Sequence, residues 1–143
     1  MRIKNGAKNA LFQERKTMAK NERKCVPTES EEQQALFRWA AYESGAHPEL
    51  ALLYHIPNEG KRSQIAGAKL RAEGLKRGVP DICLPVPRGK WHGLYIELKR
   101  LRGGRVSDDQ QRWLDALNEQ GYFATVCRGW QQAAAEIQNY LGI

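Results

Sequence analysis

The sequence predicts an α/β fold in which a mixed central β-sheet is flanked by α-helices. Helical patterns alternate along the 143 residues with short apolar runs of strand type. Two of these runs, 82–84 and 93–98, are joined by a short loop, which favours an antiparallel pair. A further helix separates the second run from the last strand, so these two strands should run parallel through a right-handed crossover.

The first elements are predicted from capping signals. Thr28 and Ser30 are both N-cap candidates for the first helix, because each is followed three residues later by Glu or Gln in a capping-box pattern. That helix weakens near Gly45. Residues 52–56 then predict a strand that ends at a Pro-Asn-Glu-Gly turn, and residues 65–73 predict a short helix that ends at a glycine.

The elements after the two central strands are also predicted from residues at their own ends. Ser107 is expected to cap a helix whose first turn contains two aspartates, which are favourable near the positive end of the helix dipole. Gly121 is a suitable C-terminal stop for this helix. Residues 122–127 predict a strand and residues 130–141 a last amphipathic helix, which completes the order of elements.

Positive charge is concentrated at the N-terminal end of the chain. Residues 1–27 contain eight Lys or Arg and two Glu, a net charge of +6 out of +7, so the remainder is nearly neutral at +1. A basic arm beside a balanced domain favours nucleic-acid binding through counterion release, although a solubilising leader or a packed helix would have the same composition. We therefore predict a basic arm over residues 1–27 and one domain over residues 28–143.

Cysteine usage and hydropathy predict a cytoplasmic protein. Cys25, Cys83 and Cys127 are far apart and form no Cys-x-x-Cys pair, which is typical of a reducing compartment and not of a disulfide or zinc framework. No apolar stretch approaches the length of a membrane span, and the N-terminal residues are not followed by a signal-peptide core.

Two carboxylates and a lysine accompany the central strands. Asp81 follows a Gly-Val-Pro turn, while Glu97 and Lys99 are alternate residues of the second strand and therefore share one of its faces. An antiparallel pair would bring Asp81 beside Glu97. Carboxylates hold hard cations such as Mg²⁺ or Mn²⁺, and such a cation polarises a phosphate and activates water. The spacing predicts a metal-dependent phosphodiesterase, although Glu-x-Lys alone is common and would also fit a solvated strand face.

Several motifs, in order, resemble the virus-type replication-repair nuclease (VRR-NUC) family. They are residues 55–62, 78–82, 93–99 and 107–113, followed by Gly121-Tyr122, and the resemblance extends from about residue 29 to residue 141. It implies a PD-(D/E)xK nuclease of restriction-endonuclease-like fold that acts on DNA in replication, recombination or repair. Small stand-alone members are typically encoded by phages, so the cytoplasm would be that of a bacterial host.

The resemblance also implies how the site works. Asp81 and Glu97, with the main-chain carbonyl of Leu98, are expected to hold one or two Mg²⁺ or Mn²⁺ ions. Lys99 is expected to orient or deprotonate the attacking water and to balance charge in the transition state. Cleavage would leave a 5′-phosphate and a 3′-hydroxyl, and no organic cofactor is implied.

Two further positions are matched by the resemblance. A carboxylate from the first helix often completes such a site; Glu29 fits the family's register best and Glu32 second, with Glu31 a third candidate. All three would also fit as solvated first-turn acids. Gln110 matches the family's glutamine after the serine cap and is expected near Lys99, although it would also fit as an exposed helical residue.

Basic and polar residues around the proposed site are predicted to contact DNA. They are Asn58, Lys61, Arg62, Lys76, Arg77, Arg100, Arg102 and Arg105. Symmetric cleavage of a four-way junction needs two active sites, which a two-fold homodimer would supply. The last helix offers Trp130, Ile137, Tyr140 and Leu141 for such a surface, although core packing is an alternative use. A non-catalytic binding module of the same fold and an RNase remain open.

Overall fold

The structure, a computed structural model, describes residues 13–18, 26–58 and 63–143. Residues 13–18 are helical. The elements that follow are α1 (Glu29–Glu43), a 3-10 helix (Pro48–Leu52), β1 (Tyr54–His55), α2 (Gln64–Ala72), β2 (Ile82–Leu84), β3 (Leu94–Lys99), α3 (Asp108–Glu119), β4 (Phe123–Arg128) and α4 (Trp130–Leu141). The predicted alternation of helices and strands is thus confirmed.

The four strands form one mixed sheet in the order β1-β2-β3-β4. β1 and β2 pair antiparallel, β2 and β3 pair antiparallel, and β3 and β4 pair parallel, as predicted. Ile82 lies opposite Ile96, so Asp81 and Glu97 come next to each other at the end of this ladder.

Capping boxes begin two of the helices. The Thr28 hydroxyl accepts the Glu31 N–H, and the Glu31 carboxylate accepts the Thr28 N–H, so α1 begins at Thr28. The alternative cap at Ser30 is wrong, because Ser30 already lies within the helix. Ser107 caps α3, as predicted, and it also forms the same reciprocal pair with Gln110, which was not predicted from the sequence.

The strand predicted over residues 52–56 is wrong in its first half. Pro48 starts a 3-10 helix that extends through Leu52, with Leu50 buried in the core, and only Tyr54 and His55 pair with β2. Proline fixes φ and favours the first turn of a helix, which explains why the apolar residues after it do not extend into a strand. The last strand is displaced by one residue from its predicted position, to Phe123–Arg128.

One face of the sheet carries the hydrophobic core. Ile82, Ile96 and Leu98 point to this face and are at most 1% exposed, and Leu36 of α1 and Ile137 of α4 pack against them. The apolar residues of α4 that the sequence offered for a dimer surface are used in this core. Trp130, Ile137, Tyr140 and Leu141 are buried or partly buried against the same core. They therefore stabilise the monomer, which is the alternative use that the sequence offered for them.

The turn before Asp81 is shaped by a close contact with α3. Gly78 has φ of +84°, and a Cβ at this position would lie 2.6 Å from the carbonyl carbon of Asp109. Only glycine satisfies both the positive φ and the close approach. The contact fixes the segment that leads into Asp81 against the first turn of α3.

The outer edge of β4 is occupied by side chains. Asn118 of α3 donates to the Ala124 carbonyl at 2.9 Å and accepts the Ala124 N–H at 3.2 Å. The Gln132 side-chain oxygen accepts the Arg128 N–H at 2.5 Å. Both ends of the strand thus have intramolecular partners on the side away from β3.

No helix in the described parts of the chain is long and apolar enough to span a bilayer.

Candidate active site

Glu97 and Lys99 lie side by side and buried on the sheet face opposite the core. Their exposed fractions are 1% and 5%, and Glu97 Oε1 lies 2.9 Å from Lys99 Nζ. The alternative of a solvated strand face is therefore wrong. Burying two charges is expensive unless their partners are well placed, so such a pair is a candidate for function and not for stability alone.

Asp81 is held at the end of the same ladder. Its Oδ2 accepts the Leu98 N–H at 2.8 Å, and its main-chain carbonyl accepts the Ile56 N–H at 2.7 Å. His55 Nδ1 lies 2.8 Å from that carbonyl, a contact that the sequence did not predict. Asn58 Nδ2 lies 3.4 Å from Asp81 Oδ1, which is long for a hydrogen bond. Asp81 Oδ1 therefore has no close protein donor among the described residues.

The environment of Glu97 opposes its ionisation. Burial and, to a lesser extent, the Asp81 carboxylate raise the pKa of Glu97 to about 7, although Lys99 acts in the opposite direction. Glu97 Oε2 is also buried without a hydrogen-bond partner in the described part of the chain. Two neighbouring carboxylates, one with an unsatisfied buried oxygen, would be stabilised either by a proton on Glu97 or by a further positive charge beside Lys99.

Gln110 links the N-terminal cap of α3 to Glu97 through hydrogen bonds of its side chain. Its Nε2 donates to Glu97 Oε1 at 2.6 Å, and its Oε1 accepts the Ser107 N–H at 2.8 Å. Gln110 thus lies where it was predicted, near Lys99, and the alternative of an exposed helical glutamine is wrong. Because both ends of the amide are used, Gln110 fixes the orientation of the Glu97 carboxylate.

The three glutamates at the start of α1 have different environments. Glu29 Oε1 lies 3.8 Å from Lys99 Nζ, and its side chain is 47% exposed, so Glu29 faces the site. Glu32 is 1% exposed, and its Oε2 accepts the Trp130 N–H at 2.8 Å. Glu32 therefore caps the N-terminus of α4, because the N-cap residue, Gly129, has no side chain that could do so. Glu31 is committed to its capping box, which lowers its pKa.

One group of predicted DNA contacts lies beside the first turn of α3. Lys76 and Arg77 are exposed and, with Arg71 and Leu75, line an open hollow of about 440 Å³. The Trp113 indole N–H donates to the Arg77 carbonyl at 2.9 Å. This bond ties the basic segment to the helix that carries Gln110.

A second basic group follows β3. Arg102 and Arg105 are exposed, whereas Arg100 is half-buried and its Nε has no hydrogen-bond partner in the described residues. The Arg128 guanidinium donates to the carbonyls of Gly103 and Gly104 and so fixes this loop. Lys61, Arg62 and most of the basic arm, residues 1–12 and 19–25, lie outside the described residues.

The residues present fit a magnesium-type cation. The described residues contain no group of three or more His, Cys, Asp or Glu side chains placed to hold a metal. Mg²⁺ is usually bound through only one or two carboxylates and keeps several waters, and Mn²⁺ accepts the same oxygen ligands. Asp81 Oδ1 and the unpartnered Glu97 Oε2 provide two such carboxylate oxygens.

Comparison with known proteins identifies the family. The family model described as the VRR-NUC domain matches residues 19–131, which is most of the chain. The chain belongs to the VRR-NUC family. Among solved structures, a VRR_NUC domain protein matches this domain with a TM-score of 0.71 and 28% sequence identity, over 81% of this chain and 89% of that chain. No curated protein matches the chain.

Membership of the family agrees with the geometry of the site. A VRR-NUC domain is a nuclease domain, so its substrate is a nucleic acid. The mixed sheet and its flanking helices confirm the predicted nuclease fold.

Proposed function

We propose that this VRR-NUC domain is a Mg²⁺- or Mn²⁺-dependent endonuclease that hydrolyses phosphodiester bonds in DNA. The observation that carries the proposal is the cluster of buried Glu97 and Lys99 beside the half-buried Asp81, in which Glu97 Oε2 has no partner among the described residues. Burial of an unsatisfied carboxylate oxygen costs stability, which is expected where a site is arranged for a ligand.

Asp81 and Glu97 would hold the cation. When bound, a divalent cation would polarise the phosphodiester and stabilise negative charge as the bond breaks. Asp81 is oriented for this by the Leu98 N–H, which occupies Oδ2 and leaves Oδ1 available. The Leu98 carbonyl remains a proposed third ligand, and Glu29 is placed to act at the outer side of the site.

Lys99 would act on the attacking water and on the phosphate. Its ammonium is fixed at 2.9 Å from Glu97 Oε1 and 3.8 Å from Glu29 Oε1, so its position is set before substrate binds. A positioned cation in a site that excludes water stabilises developing negative charge without reorganisation. Gln110 keeps Glu97 Oε1 directed towards Lys99 and so leaves Oε2 for the cation.

The basic residues on both sides of the site support a DNA substrate. Lys76 and Arg77 lie beside the first turn of α3, and Arg102 and Arg105 lie in the exposed loop after β3. Both groups adjoin elements that carry the Asp81–Glu97–Lys99 cluster, so a phosphate backbone bound in the site would lie near them. Each neutralised phosphate would add to the salt dependence of binding.

Cleavage of supercoiled plasmid and of labelled DNA and RNA oligonucleotides tests the proposal. Wild-type protein should cut DNA in Mg²⁺ or Mn²⁺ and not in EDTA, and Asp81→Asn should abolish cleavage while DNA binding in Ca²⁺ survives. Asp115→Asn, on the exposed surface of α3, is the matched control and should cut normally. Cleavage by Asp81→Asn at the wild-type rate would remove Asp81 from the site, and cleavage confined to RNA would replace the proposed substrate.

We also propose a preference for branched DNA, as flaps or four-way junctions, and a homodimer that presents two sites to opposite strands. Ile137 and Leu141 of α4 are buried in the monomer core, so only the partly buried Trp130 and Tyr140 would be left on that helix for a second copy. Sedimentation equilibrium and cleavage of junction, flap and linear duplex substrates test both points. A monomer that cuts all three equally would refute them. The phage setting and the cytoplasmic location remain predictions.

A further inference from the structure

Tyrosines occupy the same sheet face as the catalytic cluster. Tyr54 of β1, Cys83 of β2 and Tyr95 of β3 lie directly opposite one another across the sheet, so their side chains share one face. Tyr95 precedes Glu97 by two residues on β3. Because alternate residues of a strand share a face, Tyr95 lies about 7 Å from Glu97 along the floor that also carries Lys99.

A third tyrosine extends this aromatic surface. The Tyr122 ring meets the Tyr95 ring edge-on, with centroids 5.4 Å apart and an angle of 80° between their planes. The phenols of Tyr54 and Tyr95 both approach the Cys83 thiol, which is only 3% exposed between them. We call Tyr54, Tyr95 and Tyr122 the tyrosine platform.

Part of the platform is open to solvent. α3 covers the neighbouring part of this face, where Gln110 reaches Glu97 and Asn118 reaches Ala124. None of the residues of α2 is buried. Tyr54 is 47% exposed. A partly exposed aromatic surface thus begins beside the catalytic cluster with the half-buried Tyr95 and Tyr122 and ends at the exposed Tyr54.

The chemistry of this surface suits unpaired bases. A phenol is uncharged at neutral pH and does not repel phosphate, and burial raises the pKa of Tyr95 further, to about 12. Aromatic side chains next to a basic groove bind single strands by stacking, without sequence preference, because every base has a π-face. In a continuous duplex the bases are already stacked on each other and do not reach such a surface.

We propose that the tyrosine platform stacks unpaired bases of the DNA strand whose phosphate enters the Asp81–Glu97–Lys99 site. The inference rests on the proposed function and adds a determinant of substrate class, which is a strand with unpaired nucleotides next to the cleaved bond. The platform would then select frayed, splayed or flapped ends over continuous duplex.

Binding without cleavage tests the platform separately from catalysis. Fluorescence anisotropy in EDTA would compare a labelled oligo-dT strand, a splayed-arm duplex and a blunt duplex. Tyr54→Ala should weaken binding of the first two by about 5- to 150-fold, the range for loss of one stacking contact. Blunt duplex binding should change little, and Tyr54→Phe, which keeps the ring, should bind as wild type.

Two further variants control the result. Tyr42 is 85% exposed but lies thirteen residues after Glu29 on α1, about 20 Å along the helix, so Tyr42→Ala should change nothing. Tyr54→Leu keeps apolar bulk without a π-system and should behave as Tyr54→Ala does. Thermal unfolding of each variant would verify that the fold is retained.

The outcomes distinguish this inference from the proposed function. Equal losses on blunt duplex and single strand, or a Tyr54→Phe variant as weak as Tyr54→Ala, would refute stacking even if the wild-type protein cuts DNA. A wild-type protein that cuts no DNA in Mg²⁺ or Mn²⁺, but whose Tyr54→Ala variant loses single-strand binding, would refute the nuclease proposal and leave the platform supported.

Discussion

Glu97 should make the metal-free protein less stable as the pH rises. Its carboxyl is 1% exposed, and burial with the Asp81 charge raises its pKa from 4.5 to about 7. Because the folded protein holds this proton more tightly than the unfolded chain, its contribution to stability is complete below pH 4.5 and is lost as the pH rises through 7. The difference between the two pKa values corresponds to a loss of about 3 kcal/mol in the free energy of unfolding.

Glu97→Gln removes this titration and keeps the shape of the neutral side chain. The free energy of unfolding of the variant, relative to wild type, should therefore increase between pH 4.5 and pH 8.5 by up to about 3 kcal/mol. Urea unfolding in EDTA at a series of pH values would measure it, with Glu119→Gln, an exposed glutamate of α3, as the matched control. The variant should cut no DNA at any pH.

Addition of Mg²⁺ above pH 7 should restore stability to the wild-type protein and not to Glu97→Gln, because a ligand that binds only the folded state stabilises it by mass action. The reasoning would be refuted if the difference between variant and wild type were constant with pH. In that case Glu97 would be ionised in the folded protein over the whole range from pH 4.5 to pH 8.5. Lys99 would then offset the full cost of burying the Glu97 charge.

Three further substitutions test other contacts of the site. Lys99→Ala should lower single-turnover cleavage at saturating DNA by about two to four orders of magnitude, whereas a loss confined to DNA affinity would make Lys99 only a phosphate contact. Gln110→Glu keeps the acceptor for the Ser107 N–H but replaces the donor to Glu97 by a third carboxylate, so cleavage should fall by about 10- to 100-fold and thermal stability should fall as well; unchanged cleavage and stability would contradict this. Glu32→Ala should lower the free energy of unfolding by about 1–3 kcal/mol, since it removes the buried cap of α4, and unchanged urea unfolding would show that the cap contributes nothing.

The parts of the fold that depend on neighbours in sequence were predictable. Alternation along β3 placed Glu97 and Lys99 on one face, and the short loop before it brought Asp81 to the same end of the sheet. The caps of α1 and α3 were encoded within three residues, at Thr28 and Ser107. These features depend on backbone periodicity and local hydrogen bonds, which a single sequence displays directly.

Contacts between distant segments were not predictable. Glu32 lies in the first turn of α1 like its neighbours, and nothing local indicates that its carboxylate caps a helix that begins 98 residues later. The near-complete burial of Lys99 depends on contacts with the loop after β3 and with α1. The residue pattern of the strand alone does not indicate these contacts. Pro48 starts a 3-10 helix that includes part of the apolar run predicted as a strand. The proline ring fixes φ, and this restriction on the backbone is not visible in the hydropathy pattern.

The side chains along the outer edge of β4 limit how copies of this protein can associate. A six-residue edge strand without proline would ordinarily offer a template for a second sheet. Asn118 and Gln132 already take the polar groups of Ala124 and Arg128 on that side, so a strand from another molecule would have to displace them. The opposite edge, β1, has only two residues. Joining of sheets is therefore disfavoured at both edges, and a dimer that cuts two strands would have to form through helices or loops.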